Sequence, residues 1–191
     1  AVAVRAPETD GGAAIIKREP RRLDLSAIAK GLGVDQIYTL LDDQGYANFL
    51  VEIGGEVRVK GDKDGLGWKI AVEKPIKGER AVEQVLSLKN VALATSGDYR
   101  NYREIDGVAY SHTIDPSTGR PVTHQLASVT VADSECAKAD GWATTLLVLG
   151  PDKGYELAVS RKIPAMFIER SGDTFIVKQT PRFERLLAGE V

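Results

Sequence analysis

Asp140 and Thr144 stand four residues apart in the segment ADGWATTLLVLG (139–150). On a helix that spacing projects a carboxylate and a hydroxyl from one face, about one turn apart. Oxygen-only ligands suit a hard cation, and Mg²⁺ typically takes one or two protein carboxylates and leaves its other positions to phosphates and water. The same pair arises often by chance, and Ala143, Leu146 and Leu147 beside it make an ordinary apolar core face. What the pair does therefore depends on what stands near it.

Four other strings carry groups of the complementary kind. In DLSAIAKG (24–31), Asp24 and Lys30 bracket a helix start. Read locally, this is an N-cap followed by a solvent-exposed lysine. Read chemically, the free amides and positive dipole end attract phosphate oxygens, and Lys30 adds a charge. VEIGGEV (51–57) places two glycines between strand runs, which serves a turn or bulge and equally a ligand packed on bare backbone with Glu56 at its rim. ATSGDYRNY (94–102) follows a strand and offers Thr95, Ser96 and Gly97 as hydroxyl and amide donors, either in a plain turn or in an anion-holding nest.

YSHTIDPSTGRPV (110–122) holds His112, one of only two histidines, with Asp115 three positions on and a Pro/Gly turn behind. An imidazole held this way, near an acid, suits a general base or phosphate contact at neutral pH. A structural histidine is the plainer alternative. The other histidine, His124, has no obvious partner and reads as a surface residue.

The elements that must position these groups come in blocks. Residues 1–12 (AVAVRAPETDGG) read as an extended lead-in, and 13–191 as one domain. A short strand-type run at 14–17 precedes a helix capped by Asp24 or Ser26, with apolar positions Ile28, Val34, Ile37, Tyr38 and Leu41, ending near Gly45. Short β-rich runs follow at 49–53, 56–60, 68–72 and 83–88, then at 91–94, 108–111 and 127–132. Helices are expected over 137–149 and 152–161, broken at Gly150–Pro151, with a closing hairpin of 165–169 and 174–178. Blocks of strands and helices, instead of strict βαβ alternation, predict an α+β, mainly antiparallel architecture. Rossmann and P-loop glycine motifs between a strand and a helix are missing.

Bulk properties narrow the partners. A chain of 191 residues with 43% hydrophobic and 27% charged residues has the makings of one ordinary core. A net charge of −2 without basic clusters gives no field for a nucleic-acid backbone. Apolar runs such as 145–149 fall far short of the roughly 18–20 residues that span a bilayer, so no transmembrane segment is expected. The single cysteine, Cys136, excludes an intrachain disulfide and a CxxC zinc site.

The strings mean more in their order. DLSAIAKGLGVDQ, NFLVEIGGEVRVKG, GWKIAVEKP, VALATSGDYRNY, YSHTIDPSTGRPV, SVTV and ADGWATTLLVLG resemble, in sequence and spacing, the successive signature blocks of the ApbE family, over about residues 14–178. The resemblance implies a T-fold-related α+β core. It implies Mg²⁺ held by Asp140, Thr144 and the backbone carbonyl of Ala27, and flavin contacts from Asp24, Lys30 and the segment around Ile114. Ser96, Gly97 and Glu56 join these as candidate cofactor-binding residues, and His112 and Asp115 as catalytic candidates.

The activity implied is transfer of FMN from FAD to a Thr or Ser hydroxyl of an acceptor protein, with release of AMP. A location in the periplasm or cell envelope goes with it. Family members are usually longer, with an N-terminal segment expected to be absent here, so a metal-dependent FAD pyrophosphatase and a non-catalytic FAD-binding fragment stand as alternatives.

Overall fold

The computed structural model describes residues 2–5, 14–17, 20, 22–76, 81–97, 102–105 and 108–190. Its centre is an antiparallel six-stranded sheet in the order β14-β13-β12-β7-β4-β3. These strands are β3 (Phe49–Ile53), β4 (Glu56–Lys60), β7 (Val91–Gly97), β12 (Leu126–Asp133), β13 (Ala165–Ser171) and β14 (Thr174–Gln179). The helices are α1 (Ser26–Asp43), α2 (Cys136–Leu149), α3 (Pro151–Ser160) and α4 (Pro181–Leu187). A mainly antiparallel α+β architecture is therefore what the sequence builds.

Both faces of the sheet are covered, and the strand sequences show it. On one face Ala139, Ala143, Leu146 and Leu147 of α2 and Ala158 of α3 pack on Val129, Val131 and Phe167, while Val34 of α1 reaches Phe49, Val51 and Ala92. On the other face lies the hairpin of β5 (Trp68–Glu73) and β6 (Val82–Leu88), whose Val72, Leu86 and Leu88 join Val57, Val59 and Met166, with Phe183 of α4 closing the cluster. Central β12 is buried at every position but its last, so it reads as a continuous apolar run without alternation.

Helices α1 and α2 meet at Gly31. A Cβ there would lie 2.4 Å from the Cys136 carbonyl oxygen, so only glycine permits the approach. Two carboxylates then lock the pair in opposite directions. Asp35 of α1 accepts from the Cys136 and Ala137 amides, each at 2.9 Å, satisfying free N–H groups of the first turn of α2, and its Oδ1 also takes the Arg58 guanidinium at 2.6 Å. Asp140 of α2 accepts from the Gly31 amide at 2.9 Å. The Cys136 thiol beneath them is buried, and burial followed by the nearby Asp35 charge pushes its pKa up to about 12. It is an inert packing group.

Several expectations change. Within the stretch read as a lead-in, β1 (Val2–Arg5) pairs antiparallel with β2 (Ala14–Lys17). The strand expected to stop at residue 94 runs on to Gly97, because Thr95, Ser96 and Gly97 pair with Thr130, Val129 and Ser128 of β12. Strand pairing overrides the turn preference of Ser and Gly here, and no anion nest forms at Ser96 and Gly97. The β8 (Tyr102–Ile105) and β9 (Val108–Ser111) hairpin and the two-residue pair β10 (Ile114–Asp115) and β11 (Arg120–Pro121) were not all legible. Neither was α4, too short for a helical period to show; it is anchored by fully buried Phe183 and by Thr180, whose hydroxyl donates to the Ile163 carbonyl. Among the described residues no helix is long and apolar enough to cross a membrane.

Gly31→Ala should force α1 off α2 and cost about 1–3 kcal/mol, typical of overpacking a rigid contact. Urea unfolding checks this; an unchanged midpoint would mean that the helices have room to separate.

Candidate active site

A cleft of about 1650 Å³ opens where the N-terminal turn of α1, the face of α2 and the end of β7 converge. Asp24 lines it from just before α1, Ala27 and Lys30 from α1, Ser96 and Gly97 from β7, His112 from between β9 and β10, Ile114 and Asp115 from β10, and Asp140 and Thr144 from α2. Every candidate residue except Glu56 is on its wall.

The cation candidates sit at the helix contact. Asp140 is 3% exposed, and burial raises its carboxyl pKa, with the Gly31 hydrogen bond and the Lys30 charge opposing the rise. In a regular helix the Gly31 N–H faces the carbonyl four residues back, that of Ala27. Its bond to Asp140 therefore draws two candidate ligand oxygens towards one amide. The third, Thr144 Oγ1, is tied to Ser96 Oγ at 2.9 Å, which fixes the hydroxyl against the end of β7. Among the described residues no group of three or more His, Cys, Asp or Glu side chains could hold a metal. A carboxylate, a carbonyl and a hydroxyl are instead the all-oxygen set that fits a hard divalent ion.

Lys30 supplies the positive charge, and Glu56 is the residue that aims it. Gly54 and Gly55, at φ of +60° and +101°, form the two-residue turn joining β3 and β4. Both also line the cleft. Glu56 was expected at the rim, but the register of the turn points it inward, where it is 1% exposed. Its Oε1 accepts from Lys30 Nζ at 2.6 Å, and Oε2 is buried without a hydrogen-bond partner. Burial raises the Glu56 pKa against the lowering effect of Lys30, and the neighbouring Asp140 charge adds to the rise. A Cβ on Gly54 would come within 3.3 Å of the Lys30 stem, so the turn leaves that stem its path.

The remaining candidates divide. Asp24 accepts from the Ser26 amide, the first of α1, at 2.8 Å, which holds its carboxyl below the usual range; the N-cap position itself is Leu25, not Asp24 or Ser26 as expected. Asp115 is occupied by its own turn: Ser117 donates to it through Oγ at 2.7 Å and through its amide at 2.8 Å, and these bonds lower its pKa. It shapes the turn that follows exposed His112. His124, expected at the surface, is half-buried. Its ring packs on Gly150, where a Cβ would lie 2.9 Å from Cδ2, and both ring nitrogens are shut from solvent without partners.

Asp35 and the β5 wall of the cleft, from Lys69 to Glu73, escaped the sequence reading. A helical Asp beside Gln36 looks like a solvated face. Only the fold puts it over the next helix.

Fold and site together define an α+β protein whose cleft gathers hard oxygen donors and a lysine at a helix start. The chain belongs to the ApbE family, whose family model matches residues 2–167. It is 48% identical over 167 residues to an FAD:protein FMN transferase of Vibrio cholerae, covering 87% of this chain and 50% of that protein. With the FAD:protein FMN transferase of Escherichia coli K12 it shares 39% over 169 residues, covering 88% and 48%. The apo flavinyl transferase ApbE of Pseudomonas stutzeri superposes with a TM-score of 0.81 at 42% identity, over 96% of this chain and 57% of that one. The ApbE protein of Thermotoga maritima gives a TM-score of 0.82 at 29% identity, over 97% and 59%. The chain thus spans about half the length of the curated relatives it matches.

Asp140's folded pKa lies above its unfolded value, so the folded state holds the proton more tightly; the carboxyl favours folding below the usual range, and that contribution is lost as pH rises through the raised value. Asp140→Asn keeps an acceptor for Gly31 and removes the buried charge. Without metal it should melt about 2–4 °C higher at neutral pH, the effect of about 1 kcal/mol in a domain of this size. A calorimetric scan in chelator that shows a lower melting temperature would contradict this.

Proposed function

We propose that this chain carries the cation and pyrophosphate site of an FAD:protein FMN transferase, which moves FMN from FAD to a Thr or Ser hydroxyl of an acceptor protein and releases AMP. The observation that carries the reading is the convergence of Asp24, Ala27, Lys30, Asp140 and Thr144 in one cleft, from segments more than a hundred residues apart, in a chain related to proteins that bear that name. Ala27, Asp140 and Thr144 would hold Mg²⁺. Bound there, the ion supplies charge neutralisation for the pyrophosphate.

The chain's own groups do the rest. Lys30, held by Glu56 and standing at the positive end of α1, binds pyrophosphate oxygens. The hydroxyl oxygen attacks the FMN-side phosphorus, the bond from that phosphorus to the bridging oxygen breaks, and AMP leaves with the electron pair. His112, which also lines the cleft, takes the proton of the hydroxyl. Ile114, another lining residue and 49% exposed, offers an apolar surface to the flavin side of the substrate. By family resemblance the setting is the periplasm or cell envelope.

Incubation with FAD, Mg²⁺ and an acceptor protein, followed for covalent flavin fluorescence on a denaturing gel, tests the reading. Flavinylated acceptor is the expected result, and FMN and AMP without any covalent flavin would make the chain a hydrolase. Asp140→Ala should abolish the dependence on added Mg²⁺ together with transfer. His112→Ala should slow transfer about a hundredfold at neutral pH, and near-normal transfer would remove His112 from the proton-accepting role.

A further inference from the structure

Strands β3 and β5 border the cleft in different ways. From β3 it meets Leu50 and Glu52, alternate residues, so β3 presents a face. From β5 it meets Lys69, Ile70, Ala71 and Val72 in succession. Ile70 and Val72 turn to the core, whereas Lys69 and Ala71 are exposed on the other side. A wall that touches both sets of side chains in succession is approached along the strand's edge. That edge is open: β5 pairs with β6 and with no other strand among the described residues.

We propose that this edge of β5 is the docking strand for the acceptor protein, whose Thr- or Ser-bearing segment adds to it in extended form by main-chain hydrogen bonds. The proposal rests on the transferase reading and names how the same cleft takes its second substrate. A Ser or Thr hydroxyl sits only two bonds from Cα, so bringing it to a pyrophosphate at the floor of the cleft brings the acceptor's backbone in as well. Backbone N–H and C=O groups removed from water need partners. An open strand edge offers a matching row of them, and strand addition to such an edge is an established mode of peptide capture. The edge is continuous with the cleft that holds Asp140 and Thr144, so a segment bound there runs past the reacting groups. Recognition through main chain also leaves the acceptor's alternate side chains free to vary.

The test uses the full chain with FAD and Mg²⁺, and the best-flavinylated member of a library of peptides of about ten residues, each with one central Thr. Its backbone amides are then N-methylated one at a time. The expected pattern alternates: methylation at every second position lowers flavinylation at limiting peptide by about tenfold or more, as loss of one good hydrogen bond does, and the intervening positions tolerate it. Hydrogen exchange should slow in residues 68–72 when peptide is added and stay unchanged with FAD alone. Normal transfer with every methylated peptide, or protection of β5 by FAD alone, would overturn the proposal and leave the transferase reading standing. Failure of the unmethylated library and of whole acceptor proteins to take up flavin would overturn both.

Discussion

The contact between α1 and α2 at Gly31 is the constraint on which the site depends. Because residue 31 has no side chain, the Asp140 carboxylate of one helix reaches the backbone of the other, and Asp35 reaches back to cap the helix that carries Asp140. The two bonds run in opposite directions across one interface. Neither helix can slide without breaking one of them, so Ala27, Asp140 and Thr144 keep a common register although two of them lie on a different element from the first. Ser96 ties the far end of that register to the sheet.

The same arrangement is electrostatically costly. Asp140 and Glu56 are both nearly fully buried, both have raised pKa values from desolvation, and the Asp140 charge adds to the rise at Glu56. Lys30 offsets only part of this from one side. The cleft wall carries Asp140, and Lys30 beside it holds Glu56, so two carboxylates are kept here against their preference for water, the kind of cost that functional sites commonly carry. Glu56 belongs to this balance as a positioning residue: it touches Lys30, and through it the place where phosphate oxygens would sit.

Much of this was legible in the sequence, and what was missed was missed for identifiable reasons. Short β-rich runs gave β3 and β4 their full extents, because the turn between them is marked by Gly54–Gly55. The core positions of α2 followed from helical spacing. Boundaries shifted where tertiary pairing outweighed local preference, as where Thr95 and Ser96 stay in the sheet through hydroxyl bonds to Thr130 and Thr144. The candidate site residues were singled out through the order of their segments, since each segment alone has a plain structural use. Which way a side chain points after a tight turn depends on register, so the inward Glu56 could not be read from VEIGGEV. Nor could the partners of Asp35, or the burial of His124 against Gly150, which exist only once distant segments meet.

The most direct measurement is an anomalous-scattering map from crystals of the chain grown with FAD and Mn²⁺ in place of Mg²⁺. The account predicts one strong peak within ligand distance of the Ala27 carbonyl, the Asp140 carboxylate and the Thr144 hydroxyl, with the FAD pyrophosphate beside it and Lys30. A peak that shares none of these oxygens, or a pyrophosphate bound away from the α1–α2 contact, would contradict it.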